Sequence, residues 1–292
     1  MKIMISGTSG FIGDVFLRSL KNLEGVEQHR ISSFAEHISP GDMQRLGDKI
    51  FVPKESSQYV EETQVLVHLG SFTPKNKRSL DNLDEYFNSL EISRRLFSDT
   101  FPNLKKIVFA STMDVYERTS KLINEDSMVS ARNSYIASKL FSERYATFAS
   151  KDKDIELDIF RIGHVYGKGD FKYAKFLPNL VEAFKNEAKF KLNTGLTQEL
   201  NLIFVQDVVN VLLQSVLSPK GFGITNLVSS ENIQVKELIK FFQEETGRLL
   251  DLELVENDGI DFRYRFDNSK LRKDFEFKET PLNIGLKSYL EK

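Results

Sequence analysis

Three glycines near the start of the chain constrain most what this sequence can fold into. Gly7, Gly10 and Gly13 are spaced G-x-x-G-x-x-G, directly after the apolar run Lys2–Ser6 and before a helical pattern. In such a strand–turn–helix the first glycine permits a tight turn, the second lets backbone approach a pyrophosphate, and the third lets the helix pack closely. The N–H groups and partial positive charge at a helix N-terminus attract phosphate. The sequence therefore predicts a dinucleotide-binding turn.

The first half of the chain alternates short β-rich runs with helical patterns, which predicts a parallel sheet covered on both faces. We expect an α/β fold: a Rossmann-like doubly wound parallel sheet with a smaller, interleaved C-terminal α/β substrate lobe. Residues 1–165, with 196–220 returning, form the predicted dinucleotide-binding domain, and 166–195 with 221–292 the substrate-binding lobe. The predicted strands are Lys2–Ser6, His29–Ser32, Ile50–Val52, Val65–Leu69, Lys106–Ser111, Leu157–Ile162, Phe190–Leu192, Leu202–Val205 and Ile224–Val228. The predicted helices are Gly13–Leu23, a segment near Gly41–Leu46, Leu80–Thr100, Tyr135–Ser150, Phe176–Lys185, Asp207–Leu217 and Val235–Thr246.

Composition narrows the class of protein. The chain has 292 residues, 40% hydrophobic and 28% charged, which is typical of a globular protein with a sizeable core. A net charge of −2 gives no reason to expect nucleic acid or a membrane as partner. The chain has no cysteine, which excludes disulfides and thiolate metal sites, and we expect no metal. Without an apolar run of about 18 residues or a recognisable signal peptide, a cytoplasmic protein is expected.

A tyrosine and a lysine stand four positions apart in Tyr135-Ile-Ala-Ser-Lys139, and on a helix such positions share one face. An ammonium beside a phenol favours the phenolate, so Lys139 is expected to lower the pKa of Tyr135. A lowered pKa suits proton transfer with a sugar or alcohol oxygen. Upstream, an apolar strand ends in Ser111 and Thr112, at the carboxyl end where open α/β sheets bind ligands. Together these residues predict a catalytic site.

Taken together, these segments resemble the extended short-chain dehydrogenase/reductase family, specifically its nucleotide-sugar epimerase and dehydratase group. The resemblance covers nearly the whole chain, because the order and spacing of its motifs match jointly. Besides the glycine turn, the matching segments are His68-Leu-Gly-Ser71, Asn88, Ser111-Thr-x-x-Val-Tyr116, Tyr135 with Lys139, Arg161-Ile-Gly-His-Val-Tyr-Gly167, Phe204-Val-Gln-Asp207-Val and Asp267-Asn-Ser-Lys270.

The resemblance implies a role for each matching position. Thr112 would hydrogen-bond the substrate oxygen, Tyr135 would be the general acid or base, and Lys139 would also bind the nicotinamide ribose. The cofactor-binding positions are Gly7, Ser9, Gly10, Phe11, Ile12, Gly13, Arg30, Ser32, Ser33, Leu69, Gly70, Ser71, Lys139, Ile162 and His164. The substrate-binding positions are Thr73, Met113, Asp114, Tyr135, His164, Lys172, Phe176 and Arg265.

The end of the second strand bears on the choice of cofactor. NAD sites usually place an acidic residue there to bond the ribose 2′-hydroxyl. Here the positions are Arg30, Ser32 and Ser33, with no carboxylate. Because arginine suits phosphate geometry, we expect NADP(H). NAD stays possible if Arg30 points away across the pleat.

Departures from the family pattern narrow the reaction. Met113 stands where 4,6-dehydratases carry an aspartate that protonates the leaving hydroxyl, which argues against dehydration. The epimerase–reductases that need a cysteine are equally disfavoured, since the chain has none. His164 replaces the usual Asn and is either a ligand contact or a packed histidine. Further departures at Glu117 and Leu200 indicate that the substrate diphosphate is held differently; the candidates are Lys168, Lys172, Lys175, Arg263 and Arg265.

The expected function is NADPH-dependent reduction of a 4-keto-6-deoxy sugar on a nucleoside diphosphate, in precursor biosynthesis for deoxysugars or surface polysaccharides such as O-antigen. Two alternatives stay open: an NAD-dependent nucleotide-sugar 4-epimerase, and a non-catalytic NAD(P)-binding protein. The family often dimerises through a four-helix contact, so a homodimer using helices at 80–100 and 135–150 is expected. The apolar faces of those helices would serve equally well as core.

Overall fold

The computed structural model describes residues 1–21, 23–31, 43–45, 51–53, 60–71, 82–98, 100–170, 175–255 and 264–290. Several predicted site positions lie outside the described part of the chain: Ser32, Ser33, Thr73, Lys172, Arg263 and the side chain of Arg30.

The strands and helices follow one another along the chain as the alternating pattern predicts. The strands are β1 (Lys2–Ser6), β2 (Glu27–Ile31), β3 (Met43–Arg45), β4 (Phe51–Pro53), β5 (Val65–His68), β6 (Lys106–Thr112), β7 (Leu122–Ile123), β8 (Glu156–Ile162), β9 (His164–Tyr166), β10 (Phe190–Leu192), β11 (Glu199–Leu200), β12 (Leu202–Phe204), β13 (Gly223–Leu227), β14 (Ile233–Gln234), β15 (Leu252–Leu254) and β16 (Arg265–Phe266). The helices are α1 (Phe11–Leu20), α2 (Leu83–Phe97), α3 (Ser134–Lys153), α4 (Phe176–Asn186), α5 (Val205–Leu217), α6 (Val235–Thr246), α7 (Ser269–Asp274) and α8 (Leu282–Lys287).

Six of the described strands form one sheet in the order β13-β8-β6-β5-β1-β2. β1 pairs in parallel with β2 on one side and with β5 on the other, and β5, β6 and β8 continue in parallel. The winding therefore reverses at β1, and open α/β sheets bind ligands at the carboxyl ends of the strands on either side of such a reversal. The predicted α/β class with a doubly wound parallel sheet is confirmed.

The central strands are apolar on both faces, as parallel strands covered by helices must be. All seven residues of β6 are buried. On one face, Leu66 of β5 and Ile107 of β6 pack in one cluster with Leu96 and Phe97 of α2. Each such buried side chain contributes roughly 1.5–3 kcal/mol relative to exposure, which holds α2 on the sheet.

The chain divides into two compact units, each built from three segments. The first unit comprises Met1–Val115, Val129–Ile162 and Val209–Thr225, and the second Tyr116–Met128, Gly163–Val208 and Asn226–Lys292. The second unit has its own core, where Phe184 of α4 and Phe242 of α6 pack with Tyr289. Within the described residues, no helix is long and apolar enough to cross a bilayer.

One predicted element is wrong. The sequence pattern predicts a helix near Gly41–Leu46, whereas β3 occupies Met43–Arg45 and pairs antiparallel with β4. A helix of about six residues is marginal without strong packing, because nucleation costs more than so few hydrogen bonds return. Pairing with β4 gives the same backbone groups partners in a hairpin.

Candidate active site

The glycine turn after β1 is built from backbone that side chains cannot occupy. Gly7 adopts φ +79°, and a Cβ there would lie 2.5 Å from Cα of Gly70. A Cβ at Gly13 would lie 2.9 Å from the carbonyl carbon of Gly7, so Gly13 is needed for contact with the turn itself. Gly10 is the N-cap of α1 and donates its N–H to the Gly7 carbonyl at 3.1 Å. The turn is therefore a bare backbone cradle at a helix N-terminus.

The cradle fits a dinucleotide pyrophosphate. Gly10 has no side chain, so no side chain caps the first N–H groups of α1, and these groups favour phosphate oxygens. Ser9 is exposed on the turn, Ile12 is half-buried, and Phe11 is buried. Leu69, Gly70 and Ser71 follow β5 at the same edge of the sheet and are all partly exposed. These residues would hold the cofactor of the family.

Thr112, Tyr135 and Lys139 are brought together in the first unit. Thr112 is the last residue of β6, and Tyr135 and Lys139 lie one turn apart at the start of α3. The N-cap of α3 is Asn133, whose side chain accepts the N–H of Ile136 at 2.9 Å and so fixes where the helix begins. The Tyr135 hydroxyl hydrogen-bonds to Thr112. Two hydroxyl groups thus meet at a strand end, where a substrate oxygen needs them.

Lys139 is buried and bound to backbone. Its Nζ donates to the carbonyl oxygen of Ala110 at 2.7 Å and lies 5.1 Å from the ring centre of Phe109. Burial lowers the pKa of the Lys139 ammonium to about 8, and the negative charge of Glu143 opposes this shift. The ammonium is therefore easier to deprotonate than an exposed lysine.

The expected lowering of the Tyr135 pKa by Lys139 is wrong for this arrangement. Burial raises the pKa of Tyr135, the nearby charge of Asp114 raises it further, and the hydrogen bond with Thr112 lowers it. The ammonium of Lys139 is turned to the Ala110 carbonyl, so it does not counter the desolvation of the phenol. The phenol is accordingly held in its protonated form.

A buried acidic residue behind Lys139 was not among the predicted site positions. Glu143 lies one turn further along α3 and accepts hydrogen bonds from Arg161 at 2.7 and 3.1 Å and from Ser111 at 2.5 Å. Glu143 and Arg161 are both buried, so each charge compensates the other. The interaction ties α3 to the ends of β6 and β8. Its signal in the sequence was the four-residue spacing from Lys139.

The turn after Thr112 carries Met113, which departs from the dehydratases, and the predicted substrate-binding residue Asp114. Met113–Val115 form one 3₁₀ turn, in which Met113 is buried and Asp114 is partly exposed. The Asp114 N–H donates to Thr112 Oγ1 at 3.2 Å, and Arg132 donates to the Asp114 carbonyl at 2.8 Å. Asp114 is therefore a neighbour of the hydroxyl pair, whereas Met113 offers no proton.

The second unit contains a cavity of about 390 Å³. Phe176 of α4 and Phe190 of β10 meet edge to face with ring centres 5.9 Å apart. Of the lining residues, only Phe176 was a predicted substrate-binding position, and Leu200 was noted as a departure from the family pattern. The full lining is Phe176, Asn179, Phe190, Lys191, Leu192, Asn193, Thr194, Gln198, Leu200 and Val235.

The remaining predicted residues are more dispersed. Ile162 is buried at the end of β8 in the first unit. His164 is exposed at the start of β9 in the second unit, so it is not a packed histidine. Arg265 is exposed on β16, and Lys175 lies 3.4 Å from the Asp170 carboxylate. In the part of the chain that the structure describes, no three acidic or histidine side chains form a metal-binding group.

Known proteins resemble this chain in sequence and in fold. A dTDP-4-dehydro-6-deoxyglucose reductase of Escherichia coli is 24% identical over 258 residues, which cover 82% of this chain and 79% of that protein. A CDP-abequose synthase of Salmonella typhimurium is 24% identical over 226 residues, covering 72% and 68%. The structure of UDP-glucuronic acid 4-epimerase from Bacillus cereus, in complex with UDP-glucuronic acid and NAD, superposes with a TM-score of 0.83 at 17% identity, covering 99% and 98%.

The family model that matches the chain describes the NAD-dependent epimerase/dehydratase family and spans residues 3–226. That span contains the glycine turn, Thr112, Tyr135 and Lys139. The reductase, the synthase and the epimerase named above all carry a nucleotide sugar in their names. With its glycine cradle and its hydroxyl pair in place, this chain belongs to the NAD-dependent epimerase/dehydratase family of the extended short-chain dehydrogenases/reductases.

Proposed function

We propose that the protein reduces a 4-keto-6-deoxy sugar carried on a nucleoside diphosphate, with NADPH as hydride donor. The observation that carries the proposal is the Thr112–Tyr135 hydroxyl pair beside the buried, apolar Met113. Reduction of a ketone needs one hydride and one proton, whereas elimination of water needs a further acid. The similarity to a dTDP-4-dehydro-6-deoxyglucose reductase supports the same class of reaction.

A reduced nicotinamide, when bound, supplies a hydride to the carbonyl carbon. Because the raised pKa of Tyr135 keeps the phenol protonated, Tyr135 can donate its proton to the carbonyl oxygen as that oxygen gains negative charge. Thr112 orients the same oxygen by hydrogen bonding. The hydrogen bond with Thr112 favours the phenolate left behind, and water returns the proton; the Lys139 ammonium, as the family resemblance implies, binds the nicotinamide ribose. The net change is one ketone, one NADPH and one proton converted to one alcohol and NADP⁺.

NADPH is proposed in preference to NADH because of the residues in and after the last part of β2. Arg30, Ser32 and Ser33 stand where NAD sites usually carry a carboxylate, and arginine suits a 2′-phosphate. The similar structure from Bacillus cereus contains NAD, so both cofactors belong in the test. Arg30→Ala is expected to raise KM for NADPH and leave KM for NADH unchanged. The same rise for both cofactors would refute this assignment.

The cavity of the second unit is proposed to take the base of the nucleotide. Its aromatic rings from Phe176 and Phe190 and its amide side chains, such as Asn179 and Gln198, suit a flat, uncharged heterocycle. Thr194→Trp would fill the cavity and is expected to raise KM for the nucleotide sugar without changing cofactor affinity. Thr197→Trp, three residues away and outside the lining, is the matched control. Equal effects of the two substitutions would contradict this placement.

The test of the reaction is NADPH absorbance at 340 nm with a panel of CDP-, dTDP-, GDP- and UDP-linked 4-keto-6-deoxy sugars. We expect loss of NADPH equal to the product formed with one of them. Tyr135→Phe should slow turnover by roughly 10²–10⁴-fold, the usual effect of losing a general acid, while still binding NADPH. Unaltered turnover in Tyr135→Phe would refute the role of the phenol.

A 4-epimerase is the second candidate, since the fold is shared with a UDP-glucuronic acid 4-epimerase and the same hydroxyl pair could remove and return the proton of the sugar hydroxyl. Epimerisation begins with oxidation, for which Tyr135 must act as a base, and its raised pKa disfavours that form. Conversion of an ordinary nucleotide hexose without net NADPH consumption would support the epimerase and exclude the reductase.

A homodimer is proposed through α2 and α3. Both helices leave large apolar side chains exposed: Leu83 and Phe87 on α2, and Phe141 and Phe148 on α3. Such patches commonly mark protein–protein contacts. Phe87→Glu combined with Phe148→Glu is expected to give a monomer by light scattering, and a wild-type monomer would refute the proposal. We also propose a place in the biosynthesis of deoxysugar precursors for surface polysaccharides; the similarity to a dTDP-4-dehydro-6-deoxyglucose reductase supports a deoxysugar as the substrate.

A further inference from the structure

Two buried polar residues in the first unit have no part in the chemistry proposed above. Ser6 ends β1 and His68 ends β5, and the two are direct partners in the parallel pairing of these strands. Their exposed fractions are 2% and 1%. A buried serine and a buried histidine each cost free energy unless their polar atoms have partners, so their contacts show what they hold in place.

The contacts form a directed chain of hydrogen bonds. The N–H of Gly70 donates to Ser6 Oγ at 3.3 Å, and Ser6 Oγ lies 2.5 Å from His68 Nδ1. His68 Nε2 lies 3.2 Å from the hydroxyl of Ser93 on α2. Burial, with the charge of Lys139 as a smaller cause, lowers the pKa of His68 to about 3, so the ring is neutral near pH 7. The arrangement in which the Ser6 hydroxyl donates to Nδ1 and Nε2–H donates to Ser93 Oγ gives an acceptor to the donors of Gly70, Ser6 and His68.

The ring of His68 is fixed by packing as well as by hydrogen bonds. It stacks on Phe109 with ring centres 5.4 Å apart and meets the edge of Phe97 at 5.5 Å. A ring in contact with two aromatic neighbours and bonded at both nitrogens presents Nδ1 to Ser6 in one orientation. Ser6 also holds the turn that follows β5, because its carbonyl accepts the N–H of Leu69 at 3.2 Å.

The segment held by Ser6 lies against the glycine cradle. A Cβ at Gly70 would be 3.0 Å from the nitrogen of Gly7, and a Cβ at Gly7 would be 2.6 Å from the carbonyl carbon of Leu69. The turns after β1 and β5 therefore touch through bare backbone. Backbone contact of this kind has no side chains to lock it, so its geometry depends on the groups that anchor each turn.

We propose that His68 is a positioning residue for the dinucleotide cofactor: acting through Ser6, it holds the turn of Leu69 and Gly70 against Gly7. The inference rests on the cofactor-dependent function proposed above. Without an acceptor at Nδ1, the Ser6 hydroxyl turns away and Gly70 loses its partner. The turn of Leu69 and Gly70 then spends part of its time in conformations that do not bind the cofactor. The apparent cofactor affinity falls in proportion to the population of the binding-competent conformation.

Three substitutions separate positioning from packing. His68→Phe keeps an aromatic ring against Phe97 and Phe109 but removes the acceptor for Ser6. His68→Asn restores an acceptor near the Nδ1 position while losing the ring. Ser6→Ala removes the link itself and serves if His68→Phe does not fold. Ser215→Ala is the matched control, because Ser215 is a fully buried serine whose hydroxyl donates to Asp158 at 2.5 Å, away from the cradle.

The measurement is the dissociation constant of NADPH, and separately of NADH, for each full-length variant, with a thermal melt of the same samples. The loss of one net hydrogen bond predicts a rise of about five- to tenfold in His68→Phe and in Ser6→Ala, with kcat at saturating cofactor unchanged. His68→Asn should bind close to wild type although its melting temperature falls. Ser215→Ala should lose melting temperature and keep its affinity.

Wild-type NADPH affinity in both His68→Phe and Ser6→Ala would overturn this inference and leave the proposed function standing. The same holds if His68→Asn binds NADPH no better than His68→Phe. A rise in the dissociation constant of Ser215→Ala equal to that of His68→Phe would also overturn it, since general loosening would then explain both. Failure of the wild-type protein to bind either dinucleotide would overturn the proposed function, and this inference with it.

Discussion

An added methyl group at Gly7 tests how closely the two turns meet. Gly7→Ala and Gly25→Ala both place a side chain on left-handed backbone, at φ +79° and +74°, which costs about 1–2 kcal/mol. Around Gly25 nothing lies within 4 Å of the new Cβ. At Gly7 the new Cβ would lie 2.5 Å from Cα of Gly70 and 2.6 Å from the carbonyl carbon of Leu69. These are backbone atoms that cannot rotate aside, so overpacking adds about 1–3 kcal/mol.

Chemical denaturation measures the loss of stability in both variants, and NADPH titration measures their cofactor affinity. We expect Gly25→Ala to lose about 1–2 kcal/mol and to bind NADPH like the wild type. Gly7→Ala should lose about 2–5 kcal/mol and bind NADPH far more weakly, because the cradle must open to admit the methyl group. Equal losses of stability in the two variants, with wild-type binding in both, would refute the close approach.

Two further predictions concern buried charge. Lys106 Nζ lies 3.0 Å from the Asp158 carboxylate and both are buried, so Lys106→Met should lower the free energy of unfolding by about 3–5 kcal/mol. Adding Asp158→Asn, which removes the unpaired charge and keeps an acceptor for the Ser215 hydroxyl, should recover part of this loss. A urea titration of Lys106→Met that matches wild type would contradict this. The pKa of Lys139 is lowered to about 8 in the folded protein, so burying its ammonium lowers the free energy of unfolding. This loss of stability is complete below pH 8 and disappears as pH rises toward the ordinary lysine pKa of 10.5. Activity needs the Lys139 ammonium, so kcat/KM should fall as pH rises through about 8. Glu143→Gln removes the negative charge that raises the pKa of Lys139, so it should move this fall to lower pH. An unchanged midpoint in the kcat/KM profile would count against the argument.

Local geometry explains which parts of the site were predictable. The turn at Gly7, Gly10 and Gly13 follows from backbone conformation, so its signal lies within a few consecutive residues. Tyr135 and Lys139 share a helix face at a fixed spacing, and Thr112 ends a strand. Each depends on one element and its boundary, and the structure places these elements as expected.

Tertiary surroundings explain what was missed. The upward shift of the Tyr135 pKa is caused by burial and by Asp114, and neither can be read from a four-residue spacing. The partners of Glu143 come from two strands, and those of His68 from β1 and α2. The cavity of the second unit combines residues from α4, β10, the following loop, β11 and α6, so no single segment carries its signal. The short helix expected near Gly41–Leu46 failed for the same reason, because a strand partner decided the local structure.

Net transfer of hydride to a keto sugar is the central claim, and an isotope measures it most directly. NADPH with deuterium in both positions at C4 of the nicotinamide is incubated with the protein and the 4-keto-6-deoxy nucleotide sugar that it turns over, and the product is analysed by mass spectrometry. We predict one deuterium in each product molecule, one NADPH oxidised for each, and little product from Tyr135→Phe. An unlabelled isomer of an added nucleotide sugar, formed while NADPH is not consumed, would contradict the account.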